Sequence, residues 1–129
     1  MKPNPIVWSE IYVQDMARAQ RFYESVFQCK LEAPNVPVED AHGMQMLFFP
    51  SDNMSSYGSA GALVKMEGVP SGGGGTLVYF SCDDCAVEQA RAEAAGGKSF
   101  KPKFSIAPHG FIALVVDTEG NCIGLHSMK

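Results

Sequence analysis

The pattern that most limits how this chain can fold is that much of it occurs twice. His42-Gly43 precedes six mostly apolar residues and then Pro50, and His109-Gly110 precedes six apolar residues and then Asp117. Gly61–Met66 (GALVKM) is echoed by Ile123–Met128 (IGLHSM), and Asp15 and Asp84 each follow a strand-like run and open a helix-like one. Three matches in the same order are hard to reach by chance. A half of about 60 residues buries only a limited core by itself. The halves are therefore expected to pack as one domain.

Reading each half locally gives the repeated unit. Residues 6–13 (IVWSEIYV) are rich in β-branched and aromatic types, as a strand requires. Asp15 is a suitable N-cap. After it Met16, Ala19, Tyr23, Val26 and Phe27 recur at helical spacing, while Arg18, Gln20, Arg21 and Glu24 supply a wet face. A short strand over Cys29–Glu32, a proline-bearing loop from Ala33 to His42, and strands over Met44–Phe49 and Ala60–Met66 complete the first half. Glu67–Gly75 (EGVPSGGGG) has linker composition. In the second half the expected strands are Thr76–Cys82, Ser99–Ile106, Phe111–Val116 and Cys122–Met128. The helix there is capped by Asp83 or Asp84, lined by Val87, Ala90 and Ala94, and ended by Gly96-Gly97. The expected architecture is α+β: a β-α-β-β-β module over about residues 5–66, a linker over 67–75, and a second module over 76–128.

Charge and composition exclude several classes. A net charge of −4, with no run of Lys and Arg, argues against a nucleic-acid partner. No apolar run nears the roughly 20 residues of a membrane span, and the N-terminus has no secretory h-region. The expectation is a cytoplasmic protein whose Cys29, Cys82, Cys85 and Cys122 are free thiols. Cys82-Asp83-Asp84-Cys85 is a CxxC, but two aspartates oppose the thiolate a redox motif needs, and no second CxxC completes a zinc site. Cys82 is expected to lie under the helix as a small hydrophobe. Gly72–Gly75 lacks the Lys-Ser or Lys-Thr and the following helix of a phosphate loop, and no G-x-S-x-G is present.

VWSEIYVQDMARAQRFYESVF, TLVYFSCDDCAVEQARAEAAGGK and VVDTEGNCIGLHS together resemble the vicinal oxygen chelate superfamily, which includes glyoxalase I, bleomycin-resistance proteins and extradiol dioxygenases. The likeness spans Ile6 to Ser127. It rests on Asp15, Ala19, Phe22 and Tyr23, and on Asp117, Gly120, Asn121, Gly124 and Leu125. The resemblance implies two βαβββ modules with curved mixed sheets around a cleft, helices outside, and homodimers. It also implies a divalent ion held from four strands, at positions that fall here on Trp8, Ala62 or neighbouring Gly61, Leu77 and Gly124. None of these side chains ligates a hard or borderline ion. Metal-dependent activity is therefore not carried over, and no metal or other cofactor is expected.

Strand alternation then assigns faces. With Trp8 toward the cleft go Glu10 and Tyr12; Leu77, Tyr79 and Ser81; Ala62, Val64 and Met66; and Cys122, Gly124 and His126. Such an apolar, aromatic wall with few polar groups suits a small molecule. Trp8, Tyr12, Val64, Leu77, Tyr79 and Cys122 are the candidate ligand contacts, with ordinary packing or a dimer contact as the alternative for the aromatics. Glu10 is the candidate acid/base or cation-gripping group. Its alternative is a glutamate bonded to neighbours or reaching solvent. His126 is its candidate partner, against a plain surface histidine. His42 and His109 stand at the cleft mouth or only hold loops. The leading expectation is metal-independent small-molecule binding. Its rivals are a lyase or isomerase using Glu10, and a non-catalytic structural or regulatory dimer.

Overall fold

The computed structural model describes residues 1–35, 43–52 and 55–129. They contain seven strands and two helices, the α+β composition expected. These are β1 (Ile6–Tyr12), α1 (Met16–Phe27), β2 (Gln45–Phe48), β3 (Ala60–Lys65), β4 (Thr76–Ser81), α2 (Cys85–Ala94), β5 (Lys98–Ser105), β6 (Phe111–Val116) and β7 (Cys122–Ser127). Part of the predicted Ala33–His42 loop, including His42, lies outside the described residues. The chain divides into two compact units, Ser9–Thr76 and Met1–Trp8 with Leu77–Lys129.

In the unit Ser9–Thr76 the strand order is β2-β3-β1. β2 and β3 pair antiparallel, with Met46 opposite Val64 and Phe48 opposite Ala62. Beneath this sheet Val13, Leu31 and Leu63 form a core with Ile11, Met16, Ala19, Tyr23, Leu47 and Phe49 around it. Asp15 caps α1 by accepting from the Arg18 amide at 3.0 Å. The predicted stripe holds for Met16, Ala19 and Tyr23 and fails for Val26 and Phe27, which are 53% and 65% exposed. Glu24 corrects the reading of a wet face: its Oε2 accepts from the Leu31 amide at 2.7 Å. That bond helps hold the chain where a strand over Cys29–Glu32 was expected. Only the bridge Glu32–Phe48 remains of that strand.

In the other unit the order is β4-β7-β6-β5, with Pro5 beside β4 through a Ser81 N–H···O bond of 2.8 Å. β4 and β7 are parallel, and β7-β6-β5 run antiparallel. Within each unit the same order recurs, the first strand of the module beside the last. That recurrence is the repeat seen in the residues. Cys85, Ala113, Val115 and Leu125 form the core, with Phe80, Cys82, Ala92, Phe111 and Ile123 packed on it. Asp84, not Asp83, caps α2, accepting from the Ala86 amide at 3.0 Å. The inner face of α2 differs from the expectation: Val87 is 44% exposed and Ala90 and Ala94 are exposed, while Cys85, Gln89 and Ala92 turn inward. The reason is polar. β5 carries register shifts on either side of Lys101, and the Lys103 amide inside that irregular stretch donates to Gln89 Oε1 at 2.9 Å. An amide partly shielded from water is best met by a partner, and Gln89 turns in to meet this half-buried one. Gly96 (φ +99°) ends the helix as expected. Among the described residues no helix is long and apolar enough to cross a membrane.

Candidate functional site

The alternation of faces holds in both units. In Ser9–Thr76, Ile11, Val13, Leu47, Phe49 and Leu63 pack with α1. Glu10, Tyr12, Met46, Phe48, Ala62 and Val64 therefore lie on the opposite face. There the Tyr12 hydroxyl donates to Glu10 Oε1 at 2.7 Å. Both residues are half-buried, and Ala62 and Val64 are fully buried at 0% exposure. A carboxylate and a phenol two residues apart on one strand thus face an apolar wall built of the cross-strand pairs Met46–Val64 and Phe48–Ala62. Gly61, on the α1 side of β3, lets β1 approach: a Cβ there would overlap the Ser9 carbonyl oxygen.

In the other unit, Phe80, Cys82, Ile123 and Leu125 face α2, so Leu77, Tyr79, Cys122, Gly124 and His126 occupy the opposite face. Leu77 and Tyr79 are buried there and Cys122 is exposed. Tyr79 pairs with Gly124 across the parallel strands, and its ring fills the space a side chain at 124 would take. An added Cβ would stand 2.6 Å from Tyr79 Cγ. His126 does not point freely into solution: Nε2 lies 2.6 Å from the His109 carbonyl oxygen, as a donor in that tautomer. The bond ties the β5–β6 turn to β7. It uses the backbone of His109, whose own side chain is exposed.

A divalent ion does not fit the four positions that the resemblance assigns to it. Indole, methyl, isobutyl and glycine offer no ligating atom, and at one of them an aromatic ring occupies the volume. Among the described residues no three His, Cys, Asp or Glu are grouped to hold an ion. The CxxC is unsuited to thiolate chemistry. Cys85 is buried at 0% exposure, and burial, with the nearby Glu88 carboxylate, pushes the Cys82 thiol up to about 12. Partial desolvation raises the Cys122 thiol as well, although the residue keeps much of its surface exposed.

Two surface hollows open in Ser9–Thr76. One of about 430 Å³ is formed by Pro50–Asp52 and Ser56–Ala60, and one of about 320 Å³ runs along α1 from Val13 to Tyr23, closed by Ser71. Neither was foreseen from sequence; the second needs Ser71 laid against a helix distant in the chain. Glu10, Tyr12 and Val64 line neither of them. Along α1 the exposed Phe22, Val26 and Phe27 form an aromatic and aliphatic strip, Phe27 stacking on Tyr23 with centroids 6.2 Å apart.

Comparison with known proteins bears on the family and the fold. The family model for the glyoxalase/bleomycin resistance protein/dioxygenase superfamily matches residues 4–123. A glyoxylase-like domain-containing protein of Didymella fabae is 31% identical over 113 residues, which is 87% of this chain and 84% of that one. Among solved structures, a hypothetical protein of Bacillus halodurans superposes with a TM-score of 0.70 at 14% identity, covering 99% of this chain and 96% of its own. Methylmalonyl-CoA epimerase of Mycobacterium tuberculosis gives 0.67 at 13% identity, covering 100% and 93%. At such identities the two structures speak for the fold.

Proposed function

This chain belongs to the glyoxalase/bleomycin resistance protein/dioxygenase superfamily, and from that premise we propose that it binds a small molecule without a divalent ion, as a single-domain cytoplasmic homodimer. The observation that carries the reading is the character of the faces turned away from the helices. They are apolar and aromatic, with the polar groups few and placed: Glu10 with Tyr12 in one unit, and Tyr79 over Gly124 in the other. Pockets for small molecules have this make-up. Superfamily members commonly bind small molecules and are often dimers. Trp8, Tyr12, Val64, Leu77, Tyr79 and Cys122 are the proposed contacts. Thermal-shift and calorimetric screening of the purified protein against metabolites and drugs tests the reading. The expected result is a saturable ligand that binds equally after chelator treatment. A screen without any binder, or binding that needs an added divalent ion, would overturn it.

A second reading has its own support. A glutamate held by a tyrosine hydroxyl is a positioned proton acceptor, and one of the similar structures is named an epimerase. In this reading Glu10 removes and returns a proton in a lyase or isomerase step, with Tyr12 orienting its carboxylate and His126 as a further candidate. Turnover on a discovered substrate should then fall by about 10²-fold or more in Glu10→Gln. Unchanged turnover would remove the idea.

A further inference from the structure

We propose that the flank of α1 carrying Phe22 and Val26 is a homodimer contact, on which a second copy of this chain lays its own α1 antiparallel. The inference rests on the homodimer reading above and says which surface makes the contact. Phe22 and Val26 stand one helical turn apart, so they share a flank of α1. They are 58% and 53% exposed, an apolar pair met by water on a helix that Met16, Ala19 and Tyr23 anchor to the core. From Phe22 toward the start of the helix runs the hollow of about 320 Å³, lined by Val13, Arg18, Ala19 and Tyr23 among others. It can take an apolar side chain from outside.

The occupant follows from self-complementarity. A two-fold contact sets one patch against its own copy. With the helices antiparallel and crossing at Phe22, the equal rise per residue sets Val26 of one copy opposite the partner's Arg18. The two Phe22 rings then meet at the axis, and each Val26 enters the partner's hollow. Charge agrees with this arrangement. α1 has no acidic residue in its first turn and no basic residue in its last. Arg18 lies toward the N-terminal end, where the helix dipole gives a cation no support. Among the described residues no salt bridge holds Arg18 or Arg21. The Asp15 carboxylate accepts from the Arg18 amide, and the two guanidinium groups act on it only at longer range. Antiparallel pairing brings Arg18 to the last turn of the partner's helix. There the carbonyls lack intrahelical donors and the dipole favours a cation. An anionic membrane is the poorer match. Residues 9–76 hold eight Asp and Glu against four Lys and Arg, and Asp15 itself lines the hollow. One helix pair buries less than a standard interface, so the dimer is weak and reversible, dissociating in the micromolar range.

The test is sedimentation equilibrium of the intact protein over a dilution series, with thermal unfolding to confirm that each variant folds. The wild-type chain should pass from monomer to dimer as concentration rises. Phe22→Ser combined with Val26→Ser should raise the dimer dissociation constant by about 100-fold or more, as the loss of two central anchors does. Arg18→Glu should raise it by about tenfold, and added salt should narrow that difference. Phe100→Ser, at a 69% exposed phenylalanine of β5, should change nothing. A double variant as dimeric as the wild type, or an Arg18→Glu variant without effect, would overturn the antiparallel α1 contact and leave the homodimer reading standing. If the double variant does not fold, Phe22→Cys decides. A residue on the axis meets its own copy, so mild oxidation should give a covalent dimer above the background of the chain's four free thiols. No gain over that background would overturn the contact. A wild-type chain that stays monomeric at every concentration would remove the contact and the homodimer reading together. If that monomer also co-sediments with phosphatidylserine vesicles, the strip belongs to a membrane.

Discussion

At Gly124 there is no room for even one methyl group. The strand partner Tyr79, 6% exposed, lays its ring where the Cβ would be, and protein interiors transmit such strain because they are close-packed. Gly124→Ala should lower stability by about 1–3 kcal/mol, the cost of overpacking a filled core. Pairing it with Tyr79→Ala should return part of the loss relative to Tyr79→Ala alone, read as a coupling in denaturant unfolding. A second residue acts through its proton. In the folded chain the Cys82 thiol is held to about 12 against an ordinary 9.0, first by burial and then by Glu88. Between those values the unfolded chain binds fewer protons than the folded one, so stability falls as pH rises. The contribution is complete below the ordinary value and lost toward the folded one. Cys82→Ser should therefore show a shallower loss of Tm than the parent between about pH 9 and 11.

At the scale of elements, the start of α2 is secured from outside the helix. The Cys85 amide donates to Ser127 Oγ at 3.0 Å, and that hydroxyl donates to the Lys129 carbonyl at 2.8 Å. Ser127 is 1% exposed, so Ser127→Ala leaves a buried amide without its acceptor and should cost about 1–3 kcal/mol. Hydrogen exchange should quicken first at Cys85, which separates this cause from general loosening. Asp84 adds a charged contact: Lys103 Nζ lies 2.8 Å from its Oδ1, and this bond, with the Ala86 amide, holds its carboxyl below the usual range. That support is present above the ordinary carboxylate value and is lost as pH falls through the lowered one. Most elements were legible from their residues because local signals agree: strands bounded by Gly and Pro, Asp15 and Asp84 at helix starts, Gly96 at a helix end. The inner face of α2 was not. CAVEQARAEA is rich in alanine, which is tolerated on either face, and the choice was made by a distant backbone amide at Lys103. The strand expected over Cys29–Glu32 failed for a like reason, since a side chain seven residues earlier satisfies the Leu31 amide.

For the molecule as a whole, the chain keeps the superfamily's fold, and the four positions that the resemblance assigns to a metal, Trp8, Ala62, Leu77 and Gly124, carry no donor side chain. Purified protein should carry no stoichiometric divalent ion by elemental analysis. Adding Zn²⁺, Ni²⁺ or Mn²⁺ should leave Tm unchanged, because an ion that binds the folded state alone would raise it. A tightly held ion would show that the positions at Trp8, Ala62, Leu77 and Gly124 were wrongly aligned. The site was readable in part. Alternation assigned Glu10, Tyr12, Ala62 and Val64 to one face, and Leu77, Tyr79 and Gly124 to one face, because a strand's period is local. The Tyr12–Glu10 bond and the filling of Gly124 depend on rotamers and strand register, which no single segment encodes. The Tyr79–Gly124 packing also bears on how such chains diverge. Bulk at one position is admissible only with smallness at the other, so the two cannot drift independently. In related chains a larger side chain at the place of Gly124 should be accompanied by a compact residue at the place of Tyr79, so that a lineage which has acquired the ring admits bulk at 124 only after losing it.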